Sequence, residues 1–245
     1  MKTCICVIIK DEEEYLDEWI SHHLQLGIDE IFLYEDYGSK SHLDVVKPYG
    51  DRVHLNSIDV IFKNNPNIVG VNNQEKLFFW FPNNYKGLFD WVLFNDVDEF
   101  LILKQPLQEL LEEYNNKGGI LLKWKWYSAN GHIEKPEGKV MDNYTKSVTS
   151  IFDYHWAYKS FVNLKKNTCW ENIIHKAKDA VFPVTDWGCH KAWLNHYFTK
   201  SWEEWKIKIL ERGDVAKDNR KIMHFFQINQ DMLPLKEDLL SEITK

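Results

Sequence analysis

DWVLFNDVDEFL, residues 90–101, sets a run of large apolar side chains directly before three acids, Asp96, Asp98 and Glu99. The run WVLF is typical of a strand that is covered on both faces. Because Asp96 and Asp98 are two residues apart where the chain turns, both carboxylates can reach one hard divalent cation. Asp-x-Asp is frequent, and a solvated turn explains it equally well. The position at the end of a buried strand is what favours a cation site.

Strands and helices alternate through the first half of the chain. Strands are predicted at 3–10, 30–35, 52–58 and 90–95, and the segment 11–27 has helical spacing with acids in its first turn. This alternation predicts an α/β fold with a largely parallel, twisted sheet. Ligands bind beyond the carboxyl ends of such strands. We therefore expect the acids that follow three strands to meet at one edge: Asp11 and Glu12, Glu35 and Asp36, and Asp96 and Asp98.

The second half of the chain is less regular. Residues 127–157, rich in Gly, Pro, Asn and aromatic side chains, have the composition of a long functional loop. Helices are predicted at 107–119 and 201–213, and strands at 120–126 and 158–165. No linker, repeat or low-complexity tract divides the sequence, so we expect one domain over residues 1–245.

Composition argues against some classes of protein. The chain has 245 residues, 44% of them hydrophobic, which is enough for a sizeable core. Its 30 Lys and Arg against 37 Asp and Glu leave a formal charge of −7, which argues against nucleic acid as a partner. The four cysteines form no CxxC pair, and no signal-peptide pattern or apolar run near the ~20 residues of a membrane span is found. We therefore expect a cytoplasmic protein with reduced thiols.

Several stretches resemble, in the same order, blocks of the GT-A fold glycosyltransferases of the family-2-like and family-92 group. They are CVIIKDEEEYLDEWISHHLQLGI (6–28), YEDYGSKSH (34–42), DWVLFNDVDEFL (90–101) and NHYFTKSWEEWKIKILERGD (195–214). The resemblance implies a GT-A type fold with a Rossmann-like, nucleotide-sugar-binding half at 1–101 and an acceptor-binding half at 102–245. Asp11 stands where Asn is usual, Glu35-Asp36-Tyr37 replaces a commoner Asp-Asn, and 184–190 has no counterpart.

The resemblance implies a metal site at the acid pair. In such enzymes Mn²⁺ or Mg²⁺ holds the diphosphate of the donor and offsets the charge of the leaving nucleotide. Asp98 is the expected direct ligand, Asp96 a ligand or a contact of the ribose or of metal-bound water, and Glu99 a supporting acid. His196, within the matching block 195–214, is the expected third ligand. The alternatives are His175 and His190.

The resemblance also implies which residues read the rest of the donor. Asp11, Glu12, Glu35 and Asp36 stand where the family contacts uridine and ribose. For Glu12 the first turn of a helix is an equally good explanation, because acids are stabilised there by the helix dipole. Two basic residues of the closing block are expected near the diphosphate, with solvated helix charges as the alternative: Lys200 and Arg212.

An inverting transfer needs a base on the acceptor hydroxyl. GKVMDNYT (138–145) resembles a family segment that places an acid at Asp142, which is therefore the leading candidate. Glu134, Glu137 and Asp186 compete with it. Trp124, Trp126 and Tyr127 are expected either to form a sugar platform or to pack in the core.

The function expected from this resemblance is metal-dependent, inverting transfer of a sugar from a UDP-sugar to a saccharide or lipid-linked saccharide, in assembly of a bacterial surface polysaccharide. A lipid-linked acceptor would associate the chain peripherally with the inner face of the membrane, although no basic amphipathic helix indicates such a surface.

Two alternatives come from other classes of protein. A haloacid-dehalogenase-type phosphohydrolase also ends a strand in Asp-x-Asp. Such enzymes require Thr or Val at the position of Phe100, and they usually have the motif at the first strand, whereas here it follows the fourth predicted strand. A non-catalytic sugar-binding protein with a divalent ion would explain the 11 tryptophans but not the acids at the other strand ends.

Overall fold

The computed structural model describes residues 1–148, 157–166, 170, 175–185, 188–210 and 219–242. Two compact units are present. The first comprises Met1–Trp124 and Trp156–Leu194, and the second comprises Lys125–His155 and Asn195–Lys245.

The secondary structure follows the chain in this order. The strands are β1 Thr3–Ile9, β2 Glu30–Glu35, β3 Val53–Ser57, β4 Trp91–Phe94, β5 Glu99–Leu103, β6 Gly119–Trp126, β7 Tyr158–Asn163, β8 Ala180–Val181 and β9 Ala192–His196. The α-helices are α1 Glu13–Gln25, α2 Leu43–Val46, α3 Ile58–Asn64, α4 Asn73–Tyr85, α5 Leu107–Glu113, α6 Val140–Asn143, α7 Trp202–Leu210, α8 Asn219–Ile228 and α9 Lys236–Ser241. Two 3₁₀ helices cover Lys47–Arg52 and Gln230–Leu235.

The described strands form one sheet in the order β3-β2-β1-β4-β7-β6-β9-β5, with β8 beside β6. β1 pairs in parallel with β2 and β4, and β2 pairs in parallel with β3. β7 runs antiparallel to both β4 and β6. The α/β fold with a largely parallel sheet predicted from the first half is confirmed, and the second half of the chain adds antiparallel neighbours.

The core of the first unit lies on the parallel part of the sheet. Cys4 and Cys6 of β1 and Phe94 of β4 are fully buried and pack with Phe78 and Phe81 of α4. The rings of Phe78 and Phe94 lie 4.6 Å apart. Each large apolar side chain buried in this way contributes about 1.5–3 kcal/mol. This packing holds α4 against the sheet, so that the first turn of α4 lies beside the ends of β2 and β4.

Some elements differ from the sequence-based expectation. The strand β5 was not predicted, although it follows directly on the acids, and α5 ends at Glu113 rather than reaching residue 119. The helix α3 occupies Ile58–Asn64, where only the end of a strand was expected. Gly27, with a φ of 98°, follows α1 as predicted. Left-handed backbone after a helix favours glycine, which has no Cβ.

The second unit has its own aromatic core. Trp202 and Trp205 of α7 are fully buried, as their spacing predicts, and pack with Phe225 and Phe226 of α8. Ser201 and Glu204 form a reciprocal cap at the start of α7, in which each side chain accepts the backbone N–H of the other residue, at 3.2 Å in both cases. Among the helices that the structure describes, none combines the length and the apolarity that crossing a bilayer requires.

Candidate metal and nucleotide-sugar site

Asp96 and Asp98 lie in a tight turn between β4 and β5, and Glu99 is the first residue of β5. The backbone N–H of Glu99 donates to the carbonyl oxygen of Asp96 at 3.1 Å, which closes the turn. The buried Asn95 accepts the N–H of Asp96 through its side-chain oxygen at 2.9 Å. The turn therefore holds the three carboxyl groups at the carboxyl end of β4, where a parallel sheet binds its ligands.

Helix α1 holds β5 in place behind this turn. The indole N–H of Trp19 donates to the carbonyl oxygen of Glu99 at 2.8 Å. His22 donates through Nε2 to the carbonyl oxygen of Leu101 at 2.8 Å, and the N–H of Leu101 donates to Nε2 of His23 at 3.3 Å. Trp19, His22 and His23, which lie in the block 6–28 that resembles the family, thus bind the backbone that follows the acids. Their contacts among the described residues give them a structural role.

His23 is held as a neutral imidazole. Its Nδ1 lies 2.8 Å from the carbonyl oxygen of Trp19 and must donate, while Nε2 accepts from Leu101. Burial, with a smaller contribution from His22, lowers the pKa of His23 to about 3. Both ring nitrogens are therefore satisfied only in the uncharged form.

Both carboxylate oxygens of Asp96 are engaged. Oδ2 lies 2.7 Å from Nζ of Lys159 on β7, and Oδ1 accepts from Nε2 of Gln74 in α4 at 2.8 Å. Lys159 is only 1% exposed. Burial by itself disfavours the ammonium, but the carboxylates of Asp96 and Glu99 outweigh it and raise the pKa of Lys159. The partly exposed carboxylate of Asp96 is therefore the counter-ion of a buried ammonium.

Glu99 is fully buried. Its Oε2 accepts the N–H of Asp96 at 3.1 Å, whereas Oε1 accepts no hydrogen bond from the described residues. Nζ of Lys159 lies 3.9 Å from Oε1. Burial raises the pKa of Glu99 well above its usual value; Lys159 opposes this shift, and Asp96 and Asp98 add to it.

Asp98 lies beside Glu99 and is half-buried. One carboxylate oxygen of Asp98 and one of Glu99 are within 4.8 Å of each other, close enough to ligate a single ion. A buried oxygen that accepts no hydrogen bond within the described part of the chain, next to a second carboxylate, suits a hard divalent cation. The donor chemistry of the turn fits Mn²⁺ or Mg²⁺.

The acids that follow β1 and β2 lie along the same edge. The parallel registers pair Ile9 with Glu35 and Cys6 with Phe94, so the ends of β1, β2 and β4 meet as predicted. Asp11 has a left-handed φ of 50° and accepts the N–H of Lys40 at 2.9 Å. Such backbone in a non-glycine residue costs about 1–3 kcal/mol and is concentrated at functional sites.

Glu12 and Glu35 converge on a buried histidine. The N–H of Glu12 donates to Nε2 of His42 at 3.0 Å, and Nδ1 of His42 donates to Oε1 of Glu35 at 3.2 Å. The N–H of His42 also donates to this oxygen, at 2.8 Å. Asp36 accepts from its neighbour Tyr37 and from Nδ2 of Asn73, each through Oδ1 at 2.8 Å. His42 therefore ties two of the strand-end loops together.

Sequence reasoning missed four residues that organise this edge: Asn73, Gln74, His42 and Lys159. Asn73 and Gln74, in the first turn of α4, bind Asp36 and Asp96 respectively. A signal for Lys159 exists, since it is the one charged residue of YKSFVN, whose six positions are all buried. The partners of Lys159 and Gln74 are not visible in the sequence, because Asp96 is far from both along the chain.

The remaining predicted residues are placed as follows. His196, 5% exposed, ends β9 in the second unit, where its ring lies 4.5 Å from that of Trp126 and its carbonyl oxygen accepts the N–H of Tyr127. Lys200 has a left-handed φ of 51° just before the cap of α7. Asp142 is exposed in α6, and Glu134 and Glu137 are exposed nearby. Arg212 and Asp186 lie outside the described residues.

The alternative histidines and the tryptophans are also located. The ring of His175 lies 5.6 Å from that of Trp124 in the first unit. Burial, together with Lys123, lowers the pKa of His190. Trp126 is buried, as the core-packing alternative predicts, whereas Trp124 and Tyr127 are partly exposed.

The parallel strands of this α/β sheet end in acids at the edge where such sheets bind their ligands, and the residues that follow β4 offer carboxylates that suit a divalent cation. A family model described as glycosyltransferase family 92 matches residues 1–233, and the chain belongs to this family.

Curated relatives agree with this assignment. A glycosyltransferase family 92 protein of Ricinus communis is 28% identical over 220 residues, covering 85% of this chain and 37% of the relative. One of Oryza sativa subsp. japonica is 26% identical over 217 residues, covering 85% of this chain and 35% of the relative. The chain thus spans just over a third of the length of these plant proteins.

A solved structure of Mycobacterium tuberculosis glucosyl-3-phosphoglycerate synthase, in complex with Mn²⁺, uridine diphosphate and glucosyl-3-phosphoglycerate, is also similar to this chain. The similar region covers 51% of this chain and 44% of the synthase chain, with 18% sequence identity and a TM-score of 0.34. This similarity is too low to assign a function.

Proposed function

We propose that this chain transfers a sugar from a nucleotide-sugar donor, a UDP-sugar, to a saccharide acceptor with the help of Mn²⁺ or Mg²⁺. The observation that supports it best is the buried Oε1 of Glu99 beside Asp98, at the carboxyl end of β4 in a member of glycosyltransferase family 92. Family membership favours this reaction over that of a phosphohydrolase.

Asp98 is the proposed direct ligand of the metal. When bound, the ion would neutralise charge that develops on the leaving diphosphate. His196 stays the proposed third ligand, because its block, 195–214, resembles the closing block of the family. Lys200 and Arg212 of that block are proposed to approach the diphosphate, where an ammonium or a guanidinium would bind phosphate oxygens.

Asp36 is the proposed contact of the uridine ribose. Its Oδ1 is held by Asn73 and Tyr37, which orients the carboxylate, while Oδ2 accepts no hydrogen bond from residues that the structure describes. Glu35 is turned toward His42, so we propose that it acts by ordering the loop of Asp36. Asp11 and Glu12, which lie at the same edge of the sheet, are also proposed to contact the uridine or its ribose.

The acceptor side of the proposal rests on the sequence. Asp142 is the proposed base for an inverting transfer, and its exposed carboxylate is compatible with that role. A bacterial surface polysaccharide as the product, a lipid-linked acceptor, peripheral association with the inner face of the membrane and action on the cytoplasmic side stay predictions.

A donor screen tests the proposed function. The chain is incubated with UDP-, GDP- and CDP-sugars, a panel of saccharide acceptors and Mn²⁺, and products are detected by mass spectrometry. We expect turnover of a UDP-sugar that stops in EDTA. Binding of UDP without any transfer or donor hydrolysis would favour a sugar-binding protein instead. Distinctly tighter binding of GDP or CDP would overturn the uridine assignment.

A further inference from the structure

We propose that Asp96 serves as the counter-ion of the buried Lys159, so that Asp98 and Glu99, and not Asp96, are the carboxylate ligands of the metal. The inference deepens the proposed function and rests on it. It reassigns the two acids that flank Asp98 in the turn, since the first aspartate of the Asp-Val-Asp motif becomes a partner of Lys159 and the glutamate after the motif becomes a ligand.

Lys159 is a buried lysine that acts as the counter-ion of Asp96. All six residues of β7 are buried, and the Lys159 side chain is 2% exposed. Its Nζ lies 2.7 Å from Oδ2 of Asp96 and 5.8 Å from the ring centroid of Trp124. A buried ammonium is stable only when a carboxylate compensates it, and Asp96, whose side chain is 34% exposed, supplies the nearest carboxylate oxygen to Lys159 among the contacts of the described residues.

Each carboxylate oxygen of Asp96 already accepts a hydrogen bond. Lys159 holds Oδ2 and Gln74 holds Oδ1. A metal ion that ligated Asp96 would compete with the ammonium of Lys159 for this carboxylate and would lie beside that buried ammonium. Ligation of Asp96 therefore weakens the compensation of a buried charge and places two like charges close together, and both effects are unfavourable.

Glu99 is in the opposite situation. Its Oε1 is buried and accepts no hydrogen bond within the described part of the chain, and the ammonium of Lys159 is beyond hydrogen-bond distance at 3.9 Å. An Asp98 carboxylate oxygen lies within 4.8 Å of a Glu99 oxygen. A cation between Asp98 and Glu99 therefore contacts an oxygen that accepts no hydrogen bond from the described residues, and it displaces no hydrogen-bond donor of that oxygen there.

Paired substitutions separate the two assignments, because each removes one acid together with the lysine and leaves the local charge balanced. Mn²⁺ affinity is measured without nucleotide from the electron paramagnetic resonance signal of free Mn²⁺. We expect D96N/K159M to bind Mn²⁺ within about threefold of the wild type, since the ion pair leaves as a unit. We expect E99Q/K159M to bind it at least about tenfold more weakly, since a ligand is lost.

The outcomes are decisive in either direction. Binding by D96N/K159M that is tenfold weaker than wild type, or wild-type binding by E99Q/K159M, would overturn the reassignment. Wild-type chain that binds no Mn²⁺ would overturn the metal-dependent function itself, and this inference with it. Thermal unfolding shows whether each variant is folded. Should D96N/K159M not fold, D96N/K159Q, which keeps hydrogen-bonding groups at both positions, takes its place. Its Mn²⁺ affinity is likewise expected to lie within about threefold of the wild type.

Discussion

At the residue scale, the turn after β4 contains one acid in each of three environments. Asp96 is paired with Lys159 at 2.7 Å, Glu99 is fully buried with one oxygen that accepts no hydrogen bond from the described residues, and Asp98 is half-buried beside it. Removing the carboxylate of Asp98 therefore changes the charge at the sheet edge without opening a cavity in the core.

Asp98→Asn should lower turnover of the nucleotide sugar by about 100-fold or more, since it removes charge stabilisation where the diphosphate leaves. The midpoint of thermal unfolding should change little, because the substitution is nearly isosteric and lies at the surface. Asp44→Asn, which neutralises an exposed acid of α2, serves as the matched control and should keep full turnover. Full activity of the Asp98 variant would remove this residue from the metal site.

At the element scale, α1 and α4 position the acids that the sheet presents. α1 holds β5 through Trp19, His22 and His23, and the first turn of α4 binds acids after two different strands. Because His23 must stay neutral to make both of its hydrogen bonds, the attachment of α1 to β5 depends on pH.

His23→Gln should destabilise the chain at neutral pH by about 1–3 kcal/mol, because one buried hydrogen-bonding group loses its partner. The pKa of His23 is about 3 in the folded state against a usual 6.5, so the unfolded state binds the extra proton as the pH falls. Its contribution is complete above pH 6.5 and is lost toward pH 3.

The free energy of unfolding of the wild type should therefore fall by up to about 1.4 kcal/mol per pH unit more steeply than that of the variant below pH 6.5. Urea titrations at a series of pH values measure the difference. His22→Gln, which keeps the buried His23, should retain the steep decline. Parallel curves for the wild type and His23→Gln would show that His23 takes up its proton in the folded state.

At the scale of the whole molecule, the chain comprises two compact units, each with a buried aromatic core of its own. The first unit contains the acids after β1, β2 and β4 together with Lys159, the partner of Asp96. Asp142 belongs to the second unit. Donor binding and acceptor activation should therefore respond to different substitutions.

Asp142→Asn should slow sugar transfer by about 100-fold or more while UDP affinity in the presence of Mn²⁺ stays unchanged, because a base acts on the acceptor hydroxyl and not on the donor. Glu237→Gln, which neutralises an exposed acid of α9 in the same unit, is the matched control and should keep normal transfer. Calorimetry with UDP and the initial rate of transfer separate the two effects. Normal transfer by the Asp142 variant would move the role to Glu134, Glu137 or Asp186, and a product with retained anomeric configuration would overturn the inverting mechanism.

Local patterns predicted much of the first unit. The apolar runs of β1, β2 and β4 and the helical spacing of α1 are visible in the sequence because burial on both faces of a strand, or on one face of a helix, leaves a periodic trace. β5 was missed because EFLIL follows the acids with no turn residue to mark a new strand, and its backbone is held by Trp19 and His23 from distant α1.

By itself, the sequence determined that acids follow three parallel strands and that this chain resembles the family to which it belongs, since both depend on residue type and order. Which of those acids pairs with a lysine, and which has a carboxylate oxygen that accepts no hydrogen bond from the described residues, was decided only by the tertiary structure. Lys159 is 63 residues from Asp96, and only the pairing of β7 with β4 brings the ammonium to this carboxylate rather than to Glu99 or Asp98. The pairing energy of charges depends on distance and burial, and neither is a property of the chain until it folds.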